Sequence, residues 1–427
     1  MSLLIRNARV IDPQSGLDGQ RNVLIQNGQI TALAEASAGF SAEQVIDASG
    51  LWLFAGVIDL AAWLREPGLD YKATLYSETR AAAASGVTTL CYQPELGANF
   101  DTAAQVKLIE ELNHRAGFAH VAVLGNLTQS LKGEQLSNMG SLKKAGCVGV
   151  TNGWQPFHSL QTLRRAMEYA ATHDLTVFVY PMEHALAAGG YMHEGEVSAR
   201  LGFPAIPSAA ETVAVAQTLA LASHTGARVH ICRLSTRLSV RLIRQAKENG
   251  VHVTADVAAH QLFLTEMDVS DFNPLCHVMP PLRSARDRDA LREGLADGTI
   301  DVICSDHQPH EIDAKLAPFQ QTAPGISSLE TLLPLSLRLV EEGVLSLPEA
   351  LRKITVNPAH IIHSPAGQIG VGAPADLVLF DPQALWELDV TRMYSAGKNT
   401  PFVGCNFNGA VQRTLLAGQT VFHRVAS

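Results

Sequence analysis

The chain has 427 residues, of which 47% are hydrophobic and 17% charged, and a formal net charge of −9. This balance excludes a disordered chain and predicts one large domain plus a smaller one. The acidic surplus argues against nucleic acid or an anionic membrane as partner, since both require basic patches.

In chain order, the opening segments LLIRNARVID, NVLIQNGQITALA and EQVIDASGLWLF are short β-type runs separated by Gly, Asn, Asp or Pro. MSLLIRNARVIDPQSG carries no basic stretch followed by an apolar core, so no signal peptide is read there. From residue 87 an apolar β-type run alternates with an amphipathic helical one: VTTLCYQ with AAQVKLIEELNHRAG, VAVLGNL with GSLKKAG, LTVFVYP after LQTLRRAMEYAATH. The pattern continues through RVHICRLS with LSVRLIRQAKENG, VHVTADVAA with RDRDALREGLADG, and IDVICSDHQ with SLETLLPLSLRLVEEG. Such alternation predicts a parallel sheet covered by helices, and over this length an α/β fold closed as a (β/α)8 TIM-type barrel. ADLVLFD and GAVQRTLLAGQTVFHRV repeat the opening texture. A composite small β domain is therefore expected from 1–53 and 366–427, with the barrel over 54–365. The polar, proline-containing stretch 308–325 is expected to be a mobile loop.

No run approaches the ~20 apolar residues of a membrane span. The six cysteines (Cys91, Cys147, Cys232, Cys276, Cys304, Cys405) are scattered without a CxxC pair. Reduced, buried thiols in a cytoplasmic protein are the expectation. A nucleophile elbow, a Walker loop, a dinucleotide fingerprint and an EF-hand are all missing from the sequence.

The segment GVIDLAAWLREPG (56–68) is the most informative. Metal-dependent cyclic amidohydrolases carry Asp-x-His-x-His-x-Arg-x-Pro-Gly at such a strand end. Asp59, Arg65, Pro67 and Gly68 stand in that frame, but Ala61 and Trp63 occupy the histidine positions. Side chains two apart share one face of a strand, so the pair is placed to hold one ion. Alanine has no donor atom, and the tryptophan nitrogen offers no lone pair. The chain resembles the amidohydrolase superfamily, and within it the long dihydroorotases. YKATLYSETRAAAASGVTT (71–89), HEGEVSARLGFPAIPSAAETVA (193–214), VHICRLST (229–236) and VTADVAAHQLFLT (253–265) share the resemblance. PPLRSARDRDALREGLADGTIDVICSDHQPHE (280–311), GISSLETLLPL (325–335) and GVGAPADLVLFDP (370–382) extend it to almost the whole chain.

The resemblance implies where ligands of a catalytic zinc would stand. Beside Ala61 and Trp63, the bridging acid corresponds to Asn152 and the two later histidines to Tyr180 and Arg233. Only Asp306 keeps its family identity. A catalytic zinc takes about three protein ligands and an open position, so no metal, cofactor or catalytic residue is expected. Among substrate positions Arg65 is retained as a vestige, whereas Glu95 and Met279 replace asparagines. Trp63 is expected to fill the vacated volume, and Arg233 to pair with Asp306 in place of the metal's charge. His230 and His260 are read as core histidines, and His307 and His310 as belonging to the barrel-end loop without a ligand role.

The resulting expectation is an inactive dihydroorotase homologue. It is similar to the non-catalytic dihydroorotase-like chain that accompanies aspartate carbamoyltransferase in pyrimidine biosynthesis of certain bacteria. That resemblance implies the aspartate carbamoyltransferase catalytic chain as partner, and a homodimer within a hetero-oligomer. The alternatives are a sensor of a pyrimidine intermediate and a residual metal-independent amidohydrolase.

Overall fold

The computed structural model describes residues 2–34 and 42–424. Eight parallel strands follow one another around a ring: Val57–Ala62, Val87–Tyr92, His120–Asn126, Gly149–Thr151, Thr176–Val179, Val229–Ile231, Val253–Ala258 and Val302–Cys304. First and last meet just beyond their ends: the Trp63 N–H donates to the His307 carbonyl at 2.9 Å, and the His307 N–H to that of Ala61 at 3.0 Å. Every residue of Val57–Ala62 and Val87–Tyr92 is buried. That is why these strands read as continuous apolar runs without polar alternation.

The outer helices follow from local rules. Thr74, Thr102, Ser159, Thr236 and Ser284 each stop a helix start by accepting a backbone N–H three residues on. Each such cap contributes about 1 kcal/mol. Helix Leu160–Thr172 buries Leu163, Ala166, Met167 and Ala170, the spacing of a single apolar stripe. Helix Arg237–Glu248 does the same with Val240, Ile243 and Ala246.

The chain ends build a second, separate sheet. Its order runs Gln419–His423, Asn406–Leu416, Leu377–Glu387, Trp52–Ala55, Ser2–Asp12, Leu17–Gln26, Gln29–Ala34, with Gln44–Asp47 also pairing Ser2–Asp12. N- and C-terminal parts join where Leu377 pairs Ala55 and Leu379 pairs Leu53, antiparallel. Strand Trp52–Ala55 thus runs past the boundary expected at residue 53 before the chain enters the barrel. Leu3, Ile5, Val10, Val23, Leu53, Leu377 and Leu415 form the core of this sheet.

Stretch 308–325 forms two short 3-10 turns and is tied down rather than loose. The buried Lys315 Nζ donates to the carbonyls of Ala323 (2.6 Å), Pro274 (3.0 Å) and His277 (3.4 Å). Among the described residues no helix is long and apolar enough to cross a membrane.

Candidate functional site

In a parallel barrel the C-terminal strand ends converge on one face, where chemistry resides. Three residues there, Arg65, Arg233 and Asp306, hold φ values of +67°, +52° and +53°. For side chains larger than glycine this left-handed backbone costs of order 1–3 kcal/mol each. Burial and contacts around the mouth sustain it.

Arg233 and Asp306 come together. Arg233 Nε lies 3.5 Å from Asp306 Oδ1, with both side chains 1% exposed. The contact is coulombic without hydrogen-bond alignment, because Arg233 Nε, Arg233 Nη1 and Asp306 Oδ1 find no hydrogen-bond partner. Burial pushes the Asp306 carboxyl up to about 7 although Arg233 opposes the shift. Near neutral pH it is therefore only partly ionised. Aromatic faces supply the rest of the guanidinium's surroundings: its carbon stands 5.2 Å from the Trp63 ring and 5.3 Å from the Tyr180 ring. Such cation–π contacts strengthen when desolvated. Trp154 completes the cage, stacked on Tyr180 at 4.6 Å and tilted against Trp63 at 6.0 Å. Sequence reasoning missed Trp154, whose only signal was its place two residues past Asn152 in a strand-end loop.

Ala61 lines the same spot, packed with Trp63, Ala258 and Cys304. Asn152 is not part of the cage. Its Oδ1 accepts from Thr128 Oγ1 at 2.5 Å, and its Nδ2 donates to the carbonyls of Gln155 (3.0 Å) and Pro156 (3.3 Å). It shapes the loop that carries Trp154. These residues do not fit a divalent cation: two lack a donor, Asn152 is spent on backbone, and a guanidinium already supplies positive charge beside Asp306. Among the described residues one trio of metal-binding type lies close together, His230, Cys232 and Asp256, all buried. Its atoms are already engaged. His230 Nε2 and Nδ1 stand 2.9 Å from Asp256 and from Thr254 Oγ1, and the Arg233 N–H donates to Asp256. Burial raises the Asp256 carboxyl, but the His230 hydrogen bond and the nearby charges of His230 and Arg233 leave it below its ordinary value.

Outside the cage lies a mouth cavity of about 300 Å³ whose wall includes Arg65, Lys72, Glu95, Trp154, Gln308 and His310. Arg65 Nη1 donates to Glu95 Oε2 at 2.5 Å, and Lys72 Nζ stands 3.2 Å from His310 Nδ1. Burial and the two cations pull the His310 ring down to about 2, so it is neutral. Met279 does not line this cavity. It packs with Met182 against Ala187, Ile206 and Ala210. His307 pairs with buried Glu78 at 2.7 Å and accepts the Ser328 N–H, which ties the barrel end to helix Leu329–Glu341. His260 is buried with both ring nitrogens unpartnered, and burial lowers it to about 3.

Comparison with known proteins agrees with this architecture. The chain is 47% identical over 418 residues to a "Dihydroorotase-like protein" of Pseudomonas putida, covering 98% of both chains. It is 40% identical over 423 residues to a "Dihydroorotase" of Syntrophus aciditrophicus, covering 99% of each. The L-hydantoinase of Arthrobacter aurescens superimposes with a TM-score of 0.88 at 24% identity, covering 99% of this chain and 96% of that one, which is a likeness of fold. Residues 48–421 match the Amidohydrolase family, and the chain is a dihydroorotase-like member of that family.

Proposed function

We propose that this chain is a catalytically inactive dihydroorotase homologue that serves as a structural, assembly subunit for the aspartate carbamoyltransferase catalytic chain in cytoplasmic pyrimidine biosynthesis. The observation that carries the reading is the Arg233 guanidinium, caged by Trp63 and Tyr180 beside Asp306. Hydrolysis of a ring amide needs an activated water and closure needs a polarised carboxyl group, and metal ions in such sites supply both by lowering the water's pKa and by acting as Lewis acids. Here a side chain fills that place, while the barrel and the terminal sheet around it are complete. A kept fold with a filled site points to a role for the surface. The partner is taken from resemblance, and the Pseudomonas relative's printed description, dihydroorotase-like, is in keeping with it.

Sedimentation velocity of the chain mixed with the aspartate carbamoyltransferase catalytic chain of the same organism tests the proposal. A large complex with carbamoyltransferase activity that the separate chains lack is the expected result. Independent sedimentation of the two refutes it. A ligand-sensing role is the second reading, favoured by the mouth cavity with Arg65 and Lys72 on its wall. Under that reading dihydroorotate or carbamoyl aspartate raises Tm, and Arg65→Ala abolishes the rise.

A further inference from the structure

The chain leading to the caged Arg233 carries a second group of donor atoms just before it. His230 and Cys232 lie two residues apart, and so do Thr254 and Asp256 on the neighbouring strand, whose register sets His230 opposite Thr254. Side chains two apart share one face of a strand. The Cys232 N–H donates to the Val179 carbonyl at 2.8 Å, which keeps the backbone in line past the end of strand Val229–Ile231. The ligand atoms of His230, Cys232 and Asp256 lie within 4.8 Å of one another, and each of the three residues is at most 1% exposed. None of them stands at a position that the amidohydrolase resemblance assigns to a metal.

The contacts that engage this trio are mostly those that stand behind a metal ligand. A ligating histidine sets its outer ring nitrogen against an oxygen, and a ligating carboxylate is itself hydrogen-bonded. His230 Nδ1 stands 2.9 Å from Thr254 Oγ1, which leaves Nε2 to face Asp256 Oδ2, also at 2.9 Å. Asp256 Oδ1 accepts the Arg233 N–H, so Oδ2 is the oxygen turned inward. Cys232 Sγ has only a weak contact with the His230 carbonyl, at 3.7 Å. One hydrogen atom, between His230 Nε2 and Asp256 Oδ2, is what holds the centre of the trio.

We propose that His230, Cys232 and Asp256 form a buried site for a divalent cation of the zinc type, which takes the place of that hydrogen atom. Imidazole, thiolate and carboxylate are the donors zinc uses, at about 2.0–2.3 Å. Magnesium and calcium take oxygen ligands instead. Thiolate and carboxylate cancel the two charges of the ion, as burial requires. The three side chains leave the fourth tetrahedral position to one water molecule. Binding releases the Cys232 thiol proton to solvent, and the neutral His230 ring coordinates through Nε2 with its hydrogen on Nδ1, donating to Thr254 Oγ1. The ion braces two neighbouring strands inside the barrel, where burial keeps it from any substrate. The site therefore goes beyond the assembly reading and restores no ring chemistry.

The experiment is elemental analysis and absorption spectroscopy of the full chain expressed in medium supplemented with zinc or with cobalt, so that the ion enters while the barrel forms. The native chain is expected to keep one ion through gel filtration, and its cobalt form to show the near-ultraviolet band of a thiolate bound to cobalt. Cys232→Ser removes that band. Thr254→Val deletes only the oxygen behind His230 and weakens affinity by about tenfold or more, read by competition with a chelating dye. It carries the test if Cys232→Ser does not fold. Asp306→Asn leaves the metal content unchanged, because Asp306 is the kept member of the family's ligand set and not of this trio. A native chain without stoichiometric metal overturns the proposal. So does a thiolate band that survives Cys232→Ser, an affinity that Thr254→Val leaves untouched, or metal that is lost from Asp306→Asn.

Discussion

Arg233 and Asp306 face each other across 3.5 Å inside a barrel where neither side chain is more than 1% exposed. Replacing Arg233 by Met is expected to cost about 3 kcal/mol, since a buried carboxyl then loses the cation beside it. Adding Asp306→Asn should return at least about 1 kcal/mol of that loss, the signature of coupled neighbours. Urea unfolding of both single variants and the double variant measures the cycle. Simple addition of the two losses would show that the residues do not interact.

The pH response of the pair has a definite sign. Asp306 titrates at about 7 in the folded chain and near 3.9 when unfolded. Between those values the folded state holds a proton that the unfolded chain has released, so stability declines as pH rises. The contribution is complete below pH ~4 and lost as pH passes about 7. Asp306→Asn lacks it. The Tm difference between native and Asp306→Asn chains should therefore fall from pH 4 to 7 and level off above. A difference that stays constant with pH contradicts the assignment.

Restoring histidine at Ala61 and Trp63 should not rebuild a zinc site. Arg233 would still stand beside Asp306, and Tyr180 and Asn152 would remain unsuited. Loss of the Trp63 side chain should also destabilise the chain by about 3 kcal/mol. Metal analysis and a ring-closure assay on Ala61→His/Trp63→His check this; zinc-dependent turnover would mean that the ligand positions have been misassigned.

Lys315 pins stretch 308–325 by donating to three carbonyls. Lys315→Met removes the ammonium donor from the Ala323 carbonyl, while the Pro274 and His277 carbonyls keep the His277 and Gly325 N–H groups, so hydrogen exchange should quicken in that stretch and stay unchanged in the barrel strands. Uniform exchange across the native and variant chains would assign the anchoring elsewhere.

Much of this was legible in the sequence. Alternating apolar runs and amphipathic helices mark a barrel because buried parallel strands have no polar face to show. Ala61 and Trp63 stand out because the frame around them, Asp59 to Gly68, is kept. The Arg233–Asp306 contact followed from the family resemblance, which puts both residues at ligand positions of one metal site. The loop chemistry was hidden. Trp154 joins the cage only because Asn152 folds its loop, and that depends on Thr128 from a neighbouring segment. Glu95 reads as an obstacle to an acidic substrate, but its hydrogen bond to Arg65 joins two loops that the sequence keeps apart. Lys315 looks like a surface lysine until three carbonyls from two segments surround it. Periodicity reports which face of an element is buried, whereas these contacts depend on where separate loops meet.

The sheet that joins both ends of the chain also sets a clock on synthesis. Strand Trp52–Ala55 pairs with Leu377–Phe380, so more than three hundred residues must emerge before the early strands find their neighbour. At roughly 5–20 residues per second that interval is on the order of half a minute. Throughout it the nascent Trp52–Ala55 strand presents an open edge that other chains can join. Completion of this sheet waits for the strand that begins at Leu377, and a ribosome that stops before it releases a chain with an unpaired sheet edge.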